Sequence, residues 1–130
     1  MKKTDVDVIE LMLRHCNDIQ EAIKIFGDDI DTFVNNRVYQ HAVIDCLLQI
    51  GELTTHLSDD FKNSTSDKVN WVGLKVFRNI SAHRYMTLKF DQTWQTMHSF
   101  LPDFIEFCNS LLEESREENY ETDDLSEFEL

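Results

Sequence analysis

Apolar residues that recur by threes and fours dominate this chain. Ile9, Met12, Cys16, Ile19, Ile23 and Phe26 form one stripe, with Glu10, Arg14, Asn17, Glu21 and Lys24 off it. That spacing is the period of a helix with a single apolar face. The pattern returns at Tyr39, Ala42 or Val43, Cys46, Ile50, Leu53 and Leu57. It returns again at Val69, Val72, Val76, Phe77 and Ile80, and then at Trp94, Met97, Leu101, Phe104, Ile105, Cys108 and Leu111 or Leu112. Only three glycines and one proline stand among 130 residues, so little breaks these helices. Such segments bury their stripes only against one another. The expected fold is therefore all-α, an up-and-down four-helix bundle.

The joints follow from local chemistry. Thr4 or Asp5 is placed to cap the first helix and Gly27 to end it. The stretch DDIDTFVNN reads as a short extra helical turn or loop. SDDFKNSTSDK, polar and without an apolar period, reads as the main internal loop, with Ser66 or Asp67 capping the third helix. Gly51 interrupts the second helix. A glycine there is costly unless another backbone must come close. Pro102 should bend the fourth helix. Residues 113–130 hold nine acids against Arg116 alone and read as a fraying helix end and then a disordered acidic tail, so the expected division is a helical domain over 1–112 and a tail over 113–130.

No apolar run is long enough for a membrane span. The opening MKKTDVDVIE has two lysines with no apolar run behind them and does not read as a signal peptide. Cys16, Cys46 and Cys108 are scattered, with no C-x-x-C pair. They read as buried, reduced thiols in a cytoplasmic protein. The sequence has no Gly-rich phosphate loop, no H-E-x-x-H and no zinc-type Cys/His spacing, so neither a metal nor a cofactor is expected. His15, His41, His56 and His98 stand singly. Asp28-Asp29 and Asp59-Asp60 occupy positions where a cap is the ordinary use of aspartate.

The charge distribution points to a candidate site. Net charge is -13, yet from Lys68 to Lys89 there is no Asp or Glu and there are five bases: Lys68, Lys75, Arg78, Arg84 and Lys89. Arg78, Asn79, His83 and Tyr85 cluster inside this window. On a straight helix a pair five residues apart diverges by about 140°. Arg78 and His83 then meet only if the helix ends near Ala82, or if a second copy brings its own pair across a two-fold axis. The spacing equally fits a plain helix C-terminus, where bases complement the helix dipole.

The segment Arg78-Asn79-Ile80-Ser81-Ala82-His83-Arg84-Tyr85 resembles the R-x4-H-x-Y motif of the HepT-like proteins of the HEPN superfamily. The likeness extends to Tyr39–Ser58, with Ile50-Gly51-Glu52 at that family's Ile-Gly-Glu signature, to NWVGLKVFRN, where Asn70 stands in place of the usual Pro, and to WQTMHSFLPDF. It covers roughly residues 5–112 and leaves out the acidic tail.

This resemblance implies a homodimeric, metal-independent endoribonuclease, the toxin of a type VII-like toxin–antitoxin pair. Arg78 and His83 would be the catalytic pair, with Asn79 supporting the site. Lys75, Arg84 and Lys89 would lie on the RNA-binding surface, and tRNA and mRNA are both candidate substrates. The implied partner is an antitoxin nucleotidyltransferase of the MNT type, which would transfer AMP to Tyr85. The alternative is a catalytically inactive HEPN scaffold for such a nucleotidyltransferase. The chemistry suits the residues. RNA carries its own nucleophile in the 2′-OH. Histidine moves protons both ways near neutrality, and arginine offers permanent charge and a planar donor fork to phosphate. An acid-free surface is what a polyanion requires.

Overall fold

The computed structural model describes residues 1–79 and 88–128, with Asn79 and residues 119–128 described by their backbone alone. Every regular element among them is helical. Helix α1 spans Lys3–Phe26, α2 Ile30–Val34 and α3 Arg37–Leu53, followed by a 3-10 turn at Thr54–His56. Helix α4 spans Asp59–Ser64 and α5 Trp71–Leu74, which runs directly into a 3-10 segment at Lys75–Asn79. The last helix, α6, spans Phe90–Phe128. Helix α1 packs on α3 and α6, and the 3-10 segment Lys75–Asn79 packs on α3. The fold is the expected all-α, HEPN-like bundle.

The first, second and fourth stripes are the core. Ile9, Met12, Cys16 and Ile19 of α1 are fully buried, as are Tyr39, Val43 and Ile50 of α3 and Met97 and Cys108 of α6. Gly27 ends α1 at a φ of 113°, a conformation that other residues adopt only under strain. Its carbonyl accepts a hydrogen bond from the Tyr39 hydroxyl at 2.9 Å, which gives that buried phenol a partner. Among the described residues, no helix is long and apolar enough to cross a membrane.

Three local expectations need correction. Neither Thr4 nor Asp5 caps α1, whose N-cap is Lys2 without a side-chain bond. Asp5 is instead buried, and its carboxylate accepts from the Ser58 backbone N–H at 2.8 Å and the Ser58 hydroxyl at 2.6 Å. Second, Ser58 itself caps α4, accepting from Phe61 N–H, so the polar stretch after Leu57 begins with a short helix rather than a loop. Third, α5 is capped by Asn70, whose Oδ1 accepts from Gly73 N–H at 2.9 Å, and not by Ser66 or Asp67. An asparagine thus starts the helix where the resembled family carries proline. The backbone of α6 itself is helical from Phe90 to Phe128. No glycine or proline follows Pro102, and Glu, Leu and Arg are good helix formers. Leu112 is the last buried residue among those whose side chains are described.

The third stripe is rotated from its expected face. Val69 and Phe77 are buried as expected, but Val72 is 79% and Val76 59% exposed, and Trp71 and Leu74 are buried in their stead. Buried residues three apart are what a 3-10 winding places on one face, and the chain here passes into 3-10 geometry. Trp71 sets the rotation. Its Nε1–H donates to Thr65 Oγ1 at 2.9 Å, and its ring meets Phe61, Phe104 and Phe107 edge-on or tilted. Ile80, expected in this stripe, lies outside the described residues.

Candidate active site

Gly51 fixes where Arg78 sits. A Cβ built on Gly51 would lie 2.6 Å from the backbone nitrogen of Arg78 and 2.9 Å from Phe77 Cβ. The missing side chain is therefore what allows the 3-10 segment to lie directly on α3, as the cost of a mid-helix glycine suggested. Phe77, buried on one side of this contact, turns the next residue outward. Arg78 emerges half exposed, and Glu52 emerges from α3 beside it. Arg78 Nε is 3.1 Å from Glu52 Oε2, with the two side chains 52% and 47% exposed. An ion pair this open contributes only about 0–1 kcal/mol to stability. Its significance lies in where it holds the guanidinium.

The carboxylate was missed in the sequence because the basic window was read along the chain. It has no acid between Lys68 and Lys89, but the fold supplies one from α3. The signal lay in Ile50-Gly51-Glu52: Ile50 is buried, Gly51 accepts the backbone and Glu52 meets the arginine.

Around Arg78 the outward face of Trp71–Asn79 mixes charge and apolar surface. Val72, Lys75 and Val76 of that face are exposed, and so are Lys68 and Lys89, which flank the segment in sequence. A groove of about 300 Å³ runs between this segment and α6, lined by Leu74, Val76, Phe77, Phe100 and Phe104, with Lys68 and Asp103 at its polar edge. Asn79 closes the 3-10 segment, and its side chain lies outside the described residues. His83, Arg84 and Tyr85 lie outside them too.

The remaining candidates fall into structural roles. Asp29 caps α2, accepting from Thr32 N–H at 3.1 Å and the Thr32 hydroxyl at 2.8 Å. His98 pairs with Asp28 at 2.9 Å and leans on Trp94. Asp59 and Asp60 occupy the first turn of α4. Cys16, Cys46 and Cys108 are buried free thiols. Burial, with nearby acidic groups adding to it, pushes Cys46 up to about 11. Burial pushes Cys108 up to about 12 and Cys16 higher still. These thiols stay protonated and are poor nucleophiles. His15 does not stand alone, as its sequence position suggested: across the seam of α1 and α3, one ligand atom each from His15, Asp18 and Cys46 lie within 4.8 Å of one another. Asp18 is exposed and His15 partly so.

An all-helical bundle with R-x4-H-x-Y inside a basic window resembles the HEPN class. More narrowly, the model of the HepT-like ribonuclease family matches residues 12–111, and the chain belongs to that family. A protein of Methanocaldococcus jannaschii named "Putative RNase MJ1380" is 30% identical over 103 residues, covering 78% of this chain and 92% of its own. "Putative RNase TTE0752" of Caldanaerobacter subterraneus subsp. tengcongensis is 25% identical over 114 residues, covering 88% and 99%. No solved structure matches the chain significantly.

Proposed function

We propose that this protein is a metal-independent endoribonuclease, with Arg78 and His83 as its catalytic pair. The observation that carries the reading is the HepT-like family match over residues 12–111, which contains the whole motif from Arg78 to Tyr85. The exposed, basic setting of Arg78 supports it.

In the proposed reaction a histidine takes the proton of a ribose 2′-OH. The 2′-oxygen forms a bond to the adjacent phosphorus, and the bond from phosphorus to the 5′-oxygen breaks. That oxygen leaves with a proton from a second general acid, so the products are a 2′,3′-cyclic phosphate and a 5′-hydroxyl. Arginine stabilises the negative charge on the phosphorane oxygens. Two copies of the chain around a two-fold axis would supply one histidine as base and the other as acid, and reunite groups that a five-residue offset spreads apart. Asn79 supports the pair, and Lys75, Arg84 and Lys89 extend the cationic surface.

The same reading places the protein as the toxin of a type VII-like pair. Its antitoxin would be an MNT-type nucleotidyltransferase that moves AMP from ATP to the Tyr85 hydroxyl, releasing pyrophosphate. The added group brings bulk and negative charge, and both oppose entry of RNA.

The test is incubation of purified protein with total RNA in EDTA, with the new ends mapped and their chemistry determined. Cyclic-phosphate ends made by the wild type and not by His83→Ala are the expected result. Intact RNA, or cleavage that EDTA abolishes, refutes the reading; the first of these favours an inactive scaffold for the nucleotidyltransferase.

A further inference from the structure

The basic window is free of carboxylates along the chain, but Glu52 of α3 lies against it in space. We infer that Glu52 is the positioning residue of the site: it holds the Arg78 guanidinium by its Nε edge and turns the terminal amino groups toward the RNA phosphate. The inference rests on the ribonuclease reading of Arg78 and His83.

The geometry supports it in two ways. A guanidinium has five N–H donors, one on Nε and four on the two terminal nitrogens. The two charges approach to 3.1 Å at Nε and Glu52 Oε2, and in this proposal the terminal nitrogens are the ones that make two parallel bonds to phosphate oxygens. The contact is also not a chance meeting of two long surface side chains. Gly51, adjacent to Glu52, touches the backbone of Arg78 itself, so both side chains spring from a fixed point. An arginine on an open face would otherwise sample many rotamers and meet the phosphate in few of them.

Charge gives the proposal a distinctive signature. A carboxylate beside a surface that takes RNA weakens the binding of that polyanion. Removing it should leave the affinity equal or higher. If Glu52 only repelled RNA, its loss would improve the enzyme. If it positions Arg78, its loss lowers turnover even though binding is no weaker.

The experiment compares wild type, Glu52→Ala and Glu52→Gln in RNA cleavage. It also follows the Arg78 Nε–H resonance and its exchange with water in ¹⁵N-labelled protein. The expected result for Glu52→Ala is a kcat lower by about 10-fold or more, a KM unchanged or reduced, and faster exchange at Nε. Its melting temperature should stay within about 4 °C of wild type, because the pair is half exposed. Glu52→Gln keeps an acceptor oxygen in place and should recover most of the turnover and the protection. An unchanged or higher kcat in Glu52→Ala, with the Arg78 signal unaltered, overturns the proposal. The resonance does not depend on activity. A wild type that leaves RNA intact while Glu52→Ala alone loses protection at Nε refutes the ribonuclease reading and upholds the hold on Arg78.

Discussion

Replacing Gly51 with alanine separates two effects that usually travel together. In the interior of α3 the substitution gains about 1 kcal/mol of helix propensity. The new Cβ, however, would lie 2.6 Å from Arg78 N, 2.9 Å from Phe77 Cβ and 3.0 Å from Phe77 C. Comfortable carbon contacts lie at about 3.5–4.0 Å, so the 3-10 segment must move off α3 by about 1 Å. Two of the three opposing atoms are backbone, and no rotamer change relieves them. Overpacking typically costs about 1–3 kcal/mol, and this site belongs in the upper half of that range. The expected net loss is about 1–2 kcal/mol, a fall in melting temperature of about 3–8 °C. Most of a total stability of about 5–15 kcal/mol remains, so the variant stays folded at 25 °C. The displaced group is Arg78, and a misplacement of about 1 Å costs up to about 100-fold in rate. Urea denaturation and RNA cleavage on one preparation measure both quantities. Gly27→Ala is the control: it is strained by its φ of 113° but has nothing within 4 Å, so it should lose stability and keep its activity. A Gly51→Ala protein more stable than wild type, with wild-type turnover, would show that propensity wins and that the close approach does not place the arginine.

Other outcomes follow from the same structure. His83→Ala should abolish cleavage with an unchanged circular-dichroism spectrum and melting curve; retained cleavage makes His83 structural. Incubation with an MNT-type nucleotidyltransferase and ATP should add the mass of AMP to the peptide carrying Tyr85 and silence the nuclease, and modification elsewhere counts against the proposal. Asp5→Ala, which strips two charge-assisted bonds from Ser58, should cost about 2–4 kcal/mol in urea midpoint, with Asp5→Asn recovering part. The raised thiols set an alkaline limit. Above about pH 9 the unfolded chain gives up thiol protons that the folded chain keeps, so stability falls as pH rises, by about 1.4 kcal/mol per unit for each thiol, until pH passes the value near 11 of Cys46. Urea midpoints that stay flat from pH 8.5 to about 10.5 would refute the burial argument.

What was legible in the sequence depended on whether the signal was local. The stripe of α1 could be read because nothing outside that helix alters which side chains share a face. Gly51 could be read because a glycine within an otherwise unbroken helix demands a reason. The face of the third segment could not, since Val72 and Val76 look like core residues on a helical period. A bond from Trp71 to Thr65 and a passage into 3-10 winding turn them outward instead. Helix α4 was hidden by polar composition, although Ser58 followed by Asp59 and Asp60 is a helix start in its own right. At the site, Arg78 stood out by its charge, whereas Glu52 is 26 positions away along the chain and was invisible until α3 and the 3-10 segment were laid together.

The bond between Asp5 and Ser58 carries a consequence for synthesis. The carboxylate lies at the head of α1, and its partner arrives 53 residues later. At about 5–20 residues per second, translation takes at least about 3 s to add the intervening chain. Throughout that interval α1 can wind its own turns, but its first turn keeps a hydrated charge where the finished protein has a buried one. The head of α1 therefore cannot lock until the middle of the chain has followed it from the ribosome, and the packing of α1 against α6 comes later still.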